Sequence, residues 1–284
     1  LKKSHYISNF LILILIFSCG QNSSEKKLNG KWYGIENNGF TRMHFYPDSL
    51  VFTEEFTESV EWNATESQID FSLPNNYFYL DSSKNFTAYY KFSKNQDTLF
   101  CTIKNDYGEN ELNFLKAENY IEYLNKKHEV EFQLPKNDSV EFIELDNIYG
   151  LKVFIGKSNN SIIGKTELSN DLKNLESDIK IFKDSIRPYE QNQIETHEMF
   201  LDRRFHIRVF ADKSISDSTI TKSLKTTIYL KNSEADKNLP ERFRGEKRDT
   251  LPIRIFRIFD SKEEINLWKI KGKEIKTIAN NVYN

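Results

Sequence analysis

Residues able to do chemistry are few and scattered along this chain of 284 residues. Its histidines are His5, His44, His128, His197 and His206, and Glu195, His197, Glu198, Asp202 and His206 make the one dense patch of metal-ligand types. Zinc sites set their ligands at short fixed spacings, such as two imidazoles four residues apart on one helix face. The patch matches no such spacing, and Met199-Phe200-Leu201 inside it reads as structural, so a solvated loop or edge strand is expected there. No Gly-x-Ser-x-Gly, phosphate-binding loop or Gly-x-Gly-x-x-Gly occurs. Carboxylates are plentiful, but on a chain with 29% charged residues they read as a wet surface; a glycosidase pair is defined by geometry, not by spacing. The residues therefore point to a chain that is not an enzyme and holds no metal or cofactor. Arg242, Arg244, Lys247 and Arg248 gather around Pro240 and Gly245, which reads as a long exposed loop; its sharper use would be contact with lipid headgroups or an acidic protein face.

The cysteines carry more information. Lys2 and Lys3 precede the unbroken apolar run Phe10 to Phe17, which stops at Ser18-Cys19-Gly20. A run this short suits a secretory core and cannot cross a bilayer as a helix. Ile16-Phe17-Ser18-Cys19 is similar to a bacterial lipobox, which implies cleavage before Cys19 and acylation of its thiol. On that resemblance residues 1–18 are a signal peptide, 19–27 a flexible polar tether, and the membrane is the first partner. Each buried methylene of the lipid contributes about 0.8 kcal/mol, so several acyl chains anchor a protein without a spanning helix. The expected place is the cell envelope, on the periplasmic side of the outer membrane. Cys101 is then the one remaining thiol, and its alternation with Leu99 and Ile103 marks a small core residue.

These features need a scaffold. Net charge is −2, which lacks the concentrated basic face that nucleic acid requires. Residues 25–124 carry 9 basic and 16 acidic side chains, whereas 125–284 carry 29 and 26. That change of sign supports a domain boundary. The expected fold class is α+β: an antiparallel β-barrel over 28–116, a linker helix over 117–129, and a mixed α+β sandwich over 130–284.

Within 28–116 the hydrophobic period is two. Segments 41–46, 49–53, 56–62, 68–73, 86–92, 98–103 and 111–115 alternate as strands of a meander, with Pro47-Asp48 as a turn. Leu28-Asn29-Gly30-Lys31-Trp32, closing at Asn113-Phe114-Leu115-Lys116, resembles the lipocalin-like domains of Bacteroidetes envelope lipoproteins. The resemblance implies that Trp32 closes one end of a barrel with Lys116 lying over it. A barrel of that kind would carry a small apolar molecule, and strand parity offers Trp32, Phe45, Phe71, Tyr90 and Phe100 to line it; a barrel filled by its own rings is the alternative.

Beyond residue 130, Leu151, Val153 and Ile155 alternate as a strand that turns at Asn159-Asn160. Leu168, Leu172, Leu175, Ile179, Phe182 and Ile186 form one helical stripe expected to end before Pro188. Phe205 to Ala211 is a strand, a helix capped at Ser216 or Asp217 follows, and 253–259 is a central strand. Ser261-x-x-Glu264 predicts a capped helix, and Lys269 to Ile278 fits either a hairpin about Gly272 or more helix. Val130 to Lys136 and Ile207 to Lys213 resemble segments of the periplasmic domain of ExbD/TolR proteins. A lipid anchor and a barrel stand where those proteins carry a membrane helix with a proton-coupling Asp. The resemblance thus implies binding of an envelope protein partner, or self-association, rather than energy coupling.

Overall fold

The computed structural model describes residues 21–36, 41–52, 59–73, 84–105, 108–137, 143–158, 161–196, 205–224, 253–260 and 269–278. Two sheets and a few helices make the protein α+β. Its internal contacts divide it into two units, Leu1–Tyr123 and Leu124–Asn284.

The first unit is a nine-stranded antiparallel sheet. Its strands are β1 (Gly30–Gly34), β2 (Arg42–Tyr46), β3 (Ser49–Phe52), β4 (Ser59–Val60), β5 (Trp62–Ala64), β6 (Gln68–Leu73), β7 (Lys84–Phe92), β8 (Thr98–Asn105) and β9 (Gly108–Lys116). Sheet order is β4-β3-β2-β1-β9-β8-β7-β6-β5, so the first strand pairs with both the second and the last. The two free edges, β4 and β5, are separated by Glu61 alone. The sheet is therefore a nearly closed, barrel-like meander that leaves only short edges to protect. The single strand expected over 56–62 is in fact this seam, two short strands breaking at Glu61.

Alternation decides what enters its core. Leu28, Trp32, Met43, Phe45, Leu50, Ile69, Ala88, Leu99, Cys101 and Phe114 form one buried cluster. The tether expected over 19–27 is corrected in its described part, because Ser23–Leu28 is a helix, α1. Asn22 caps it, accepting from the Ser24 and Glu25 amides at 2.9 Å, while Glu25 accepts from the Asn22 amide. This reciprocal box satisfies donors that would otherwise be orphaned, and it delivers Leu28 into the core.

Tyr120–His128 forms α2, within the span read as a linker helix, and the division between units falls after Tyr123. In the first unit Tyr123 stacks on Tyr33 at 5.2 Å and its hydroxyl donates to the Gly34 carbonyl at 2.9 Å.

The second unit is a mixed sheet of β10 (Ile143–Asp146), β11 (Gly150–Ser158), β12 (Ser161–Thr166), β13 (His206–Ala211), β14 (Ile253–Ile258) and β15 (Lys269–Ile278). The order is β10-β15-β14-β13-β11-β12, with β13 parallel to both β11 and β14. Leu151, Val153, Ile155, Ile207, Val209, Ile253 and Ile255 cluster with Leu175 and Ile179 of α3 (Leu175–Thr196) and with Ile220 and Leu224 on and just after α4 (Asp217–Ser223). Ser216 caps α4 as expected, its side chain accepting from the Thr219 amide. His128, the last residue of α2, stacks on Phe154, and Phe132 from the segment that follows lies against Phe154 and Phe210.

Two local expectations are overturned. The stripe helix begins at Leu175, after a 3-10 turn at Leu172–Asn174 capped by Asp171, and Leu168 is exposed. It also runs through Pro188 to Thr196; Pro188 is exposed, so the carbonyl four residues back that loses its donor meets water. Lys269 to Ile278 is neither hairpin nor helix but one strand between β14 and β10, with a register shift against β14 where Ile255 faces Lys276 and Phe256 faces Glu274. Gly272 admits that close packing: a Cβ there would lie 3.0 Å from Ile258 Cδ1. Ser261 and Glu264 lie outside the described residues.

Candidate functional site

Trp32 is fully buried at the end of the first unit where α1 leads into β1. Its indole N–H donates to the Leu28 carbonyl at 2.7 Å, and Lys116 Nζ lies 5.2 Å from the centre of its ring, a cation–π contact with the strand that pairs beside it. The interior beyond is occupied by the protein's own rings. Trp32 meets Phe92 at 5.9 Å, Phe45 meets Trp62 at 4.7 Å, Phe52 meets Phe71 at 4.9 Å, and Tyr90 meets Phe92 at 5.4 Å. Tyr90 spends its hydroxyl on the Thr65 carbonyl at 2.7 Å.

Of the five residues expected to line a cup, Trp32, Phe45, Phe71 and Tyr90 thus share one core cluster. Phe100 does not belong to it. With period two, Leu99 and Cys101 point inward, and Phe100 lies outward at 36% exposure beneath the Lys91 ammonium, 5.6 Å from its ring. Burial pushes the Cys101 thiol up to about 12, so it stays protonated and inert.

Open space occurs instead as a groove of about 480 Å³ along β5, β6 and β7. Register places Asn63, Asp70 and Thr87 in one row across these strands, and Ser72 and Asn85 in the next. The Thr87 hydroxyl donates to Asp70 at 2.6 Å and the Ser72 hydroxyl to Asn85 at 2.5 Å. Glu61 also borders the groove, so that among the described residues its lining has two carboxylates, two amides, two hydroxyls and three aromatic rings, and no cation. Such a surface hydrogen-bonds a neutral or cationic polar ligand and repels an anionic one. Sequence reasoning passed over these residues because alternating polar positions on a strand read as ordinary solvated surface.

The second unit buries charge that periodicity had placed outward. Lys152 Nζ pairs with Glu167 at 2.8 Å, with side chains 5% and 3% exposed. Arg208, fully buried, donates Nε–H to His206 Nε2 at 2.9 Å and Nη1–H to Asn147 at 3.0 Å. Gly150 makes room for it, since a Cβ there would stand 2.2 Å from Arg208 Nε. His206 is thereby a structural acceptor. Cys19, His197, Glu198, Asp202, Arg242, Arg244, Lys247 and Arg248 lie outside the described residues. Among those described, no group of three or more metal-ligand side chains is assembled.

Two buried imidazoles set an acid response. Burial, then the cations Arg42 and Lys31, lowers His44 to about 3; burial, then Lys127, Lys152 and Lys165, lowers His128 likewise. Unfolded, both take up a proton below about pH 6.5. Stability is thus complete above that pH and declines as the pH falls from 6.5 towards 3, by about 1.4 kcal/mol per unit for each histidine. At pH 5 each should cost about 2 kcal/mol relative to neutral solution. His128→Phe, which keeps the 4.1 Å stack on Phe154, should lose its share of this dependence in urea titrations. An unchanged pH slope would refute the assignment.

Comparison with protein-family models, with curated proteins and with solved structures finds no match.

Proposed function

We propose that the chain is a lipid-anchored, non-enzymatic protein of the cell envelope, with a lipocalin-like binding module followed by an interaction domain of the ExbD/TolR periplasmic kind. The seating of Trp32, fully buried between the Leu28 carbonyl and the Lys116 ammonium where β1 meets β9, supports the lipocalin-like reading. Because the rings of Trp32, Phe45 and Tyr90 lie against neighbouring side chains and the groove on β5–β7 is open, the ligand docks at the groove rather than inside the barrel. The second unit serves a protein partner, in an energy-coupled transport complex or as a second copy of the chain.

Native mass spectrometry of the processed lipoprotein, extracted gently from its own membrane, tests this. A constant mass beyond the acyl chains, lost in Asn63→Ala with Asp70→Ala, is the expected result. Retention of that mass in the double variant would remove the groove from the proposal. A co-purifying protein without extra mass would move the function to the second unit alone.

Anchoring has its own test. Cys19→Ala should release the protein in soluble or uncleaved form from membranes, and retention as a processed, acylated species would refute the anchor.

A further inference from the structure

We propose that the end of the first unit where α1 leads into β1 lies directly on the membrane surface and the opposite end faces away from it. This rests on the acylation of Cys19 proposed above and follows from how soon the chain becomes fixed after that residue. Gln21 already donates to Asn29 Oδ1 at 3.0 Å and to the Pro47 carbonyl at 3.2 Å, and accepts from the Asn29 amide at 2.5 Å. Asn22 caps α1 and donates to the Ala64 carbonyl at 2.8 Å. Only two peptide units separate Cys19 from Gln21, a reach of about 7–8 Å. The lipid therefore has no free tether, and whatever holds Gln21 is held at the headgroups.

Gln21 is held at the end where β1 begins and β2 finishes. The same end carries the β2–β3 turn at Pro47-Asp48, the β5–β6 turn after Ala64 and the β7–β8 turn at Ser93 to Asp97. Lys26 and Lys27, exposed in the last turn of α1, offer cations to anionic headgroups. From Thr98, beside this end, β8 runs eight residues to Asn105, a rise of about 25 Å, so the β8–β9 hairpin stands well away from the bilayer.

The test uses the full acylated protein in liposomes containing headgroup-nitroxide lipid. A fluorophore is placed through Asp48→Cys at the α1 end or Glu109→Cys at the far end; both positions are exposed, and Cys101 is buried and stays unlabelled. The label at 48 should lose most of its emission while that at 109 keeps it. Inserting twenty Gly and Ser residues after Gly20 extends the reach to about 25 Å and should erase the difference. Equal quenching at 48 and 109 on protein whose intact mass shows the acyl chains would overturn the inference and leave the anchor standing. A mass without acyl chains would overturn both.

Discussion

Trp32→Ala should cost the first unit about 3–5 kcal/mol, the usual toll for deleting a large buried aromatic. The indole is fully buried, touches Phe92, and lies under Lys116. Removing it also strips the Leu28 carbonyl of its donor, so α1 loses its tie to β1. Hydrogen exchange is the readout, because it reports each strand by itself. Amides of β1, β2 and β9 should lose protection. Trp32→Phe should cost less, since a ring still fills the site and only the 2.7 Å hydrogen bond is given up, worth about 1 kcal/mol. Native protection of β1 and β9 in the alanine variant would show that Trp32 is not the closing residue.

Lys152→Met should destabilise the second unit by about 3–5 kcal/mol, because it takes the ammonium away from a carboxylate that is 3% exposed. Glu167 does more than neutralise the ammonium: its Oε1 accepts from the Lys152 amide at 2.9 Å, and its own amide donates to the Lys152 carbonyl. Glu167→Gln keeps an acceptor for that amide but leaves Lys152 charged and alone. The double variant Lys152→Met with Glu167→Gln should recover most of the loss, as removing a buried pair together avoids the unpaired charge. Urea midpoints across the four-member cycle measure the coupling. Additive losses would show that water reaches the pair.

Both predictions concern residues that the sequence displays very differently. Trp32 stands out in the sequence through the Gly30-x-Trp32 spacing, on which the lipocalin-like resemblance rests. Lys152 and Arg208 sit at polar phases of strands β11 and β13, where period two alone assigns them to solvent. Lys152 is buried against Glu167 from the turn after β12, and Arg208 against His206, Asn147 of the turn before β11 and the bare backbone of Gly150. Covering of that sort is long-range and leaves no local pattern.

Much of the rest was local and therefore legible. The β-period of 28–116, the Asx and proline turn at Pro47-Asp48, the cap at Ser216 and the strand at 253–258 each follow from neighbours within a few residues. Asn22-Ser-Ser-Glu25 was equally local, a capping box read as tether only because its surroundings are polar. The sequence by itself determined the two patterned halves, the meander and the helical stripe, since side-chain periodicity is fixed by backbone geometry. Tertiary structure alone decided that β1 closes on β9, that Glu61 is the seam, that Phe100 faces out, and that the groove on β5–β7 is open. Each of those depends on register and on which strand lies beside which, and pairing between distant segments is set by the packing of the whole sheet rather than by the residues of any one strand.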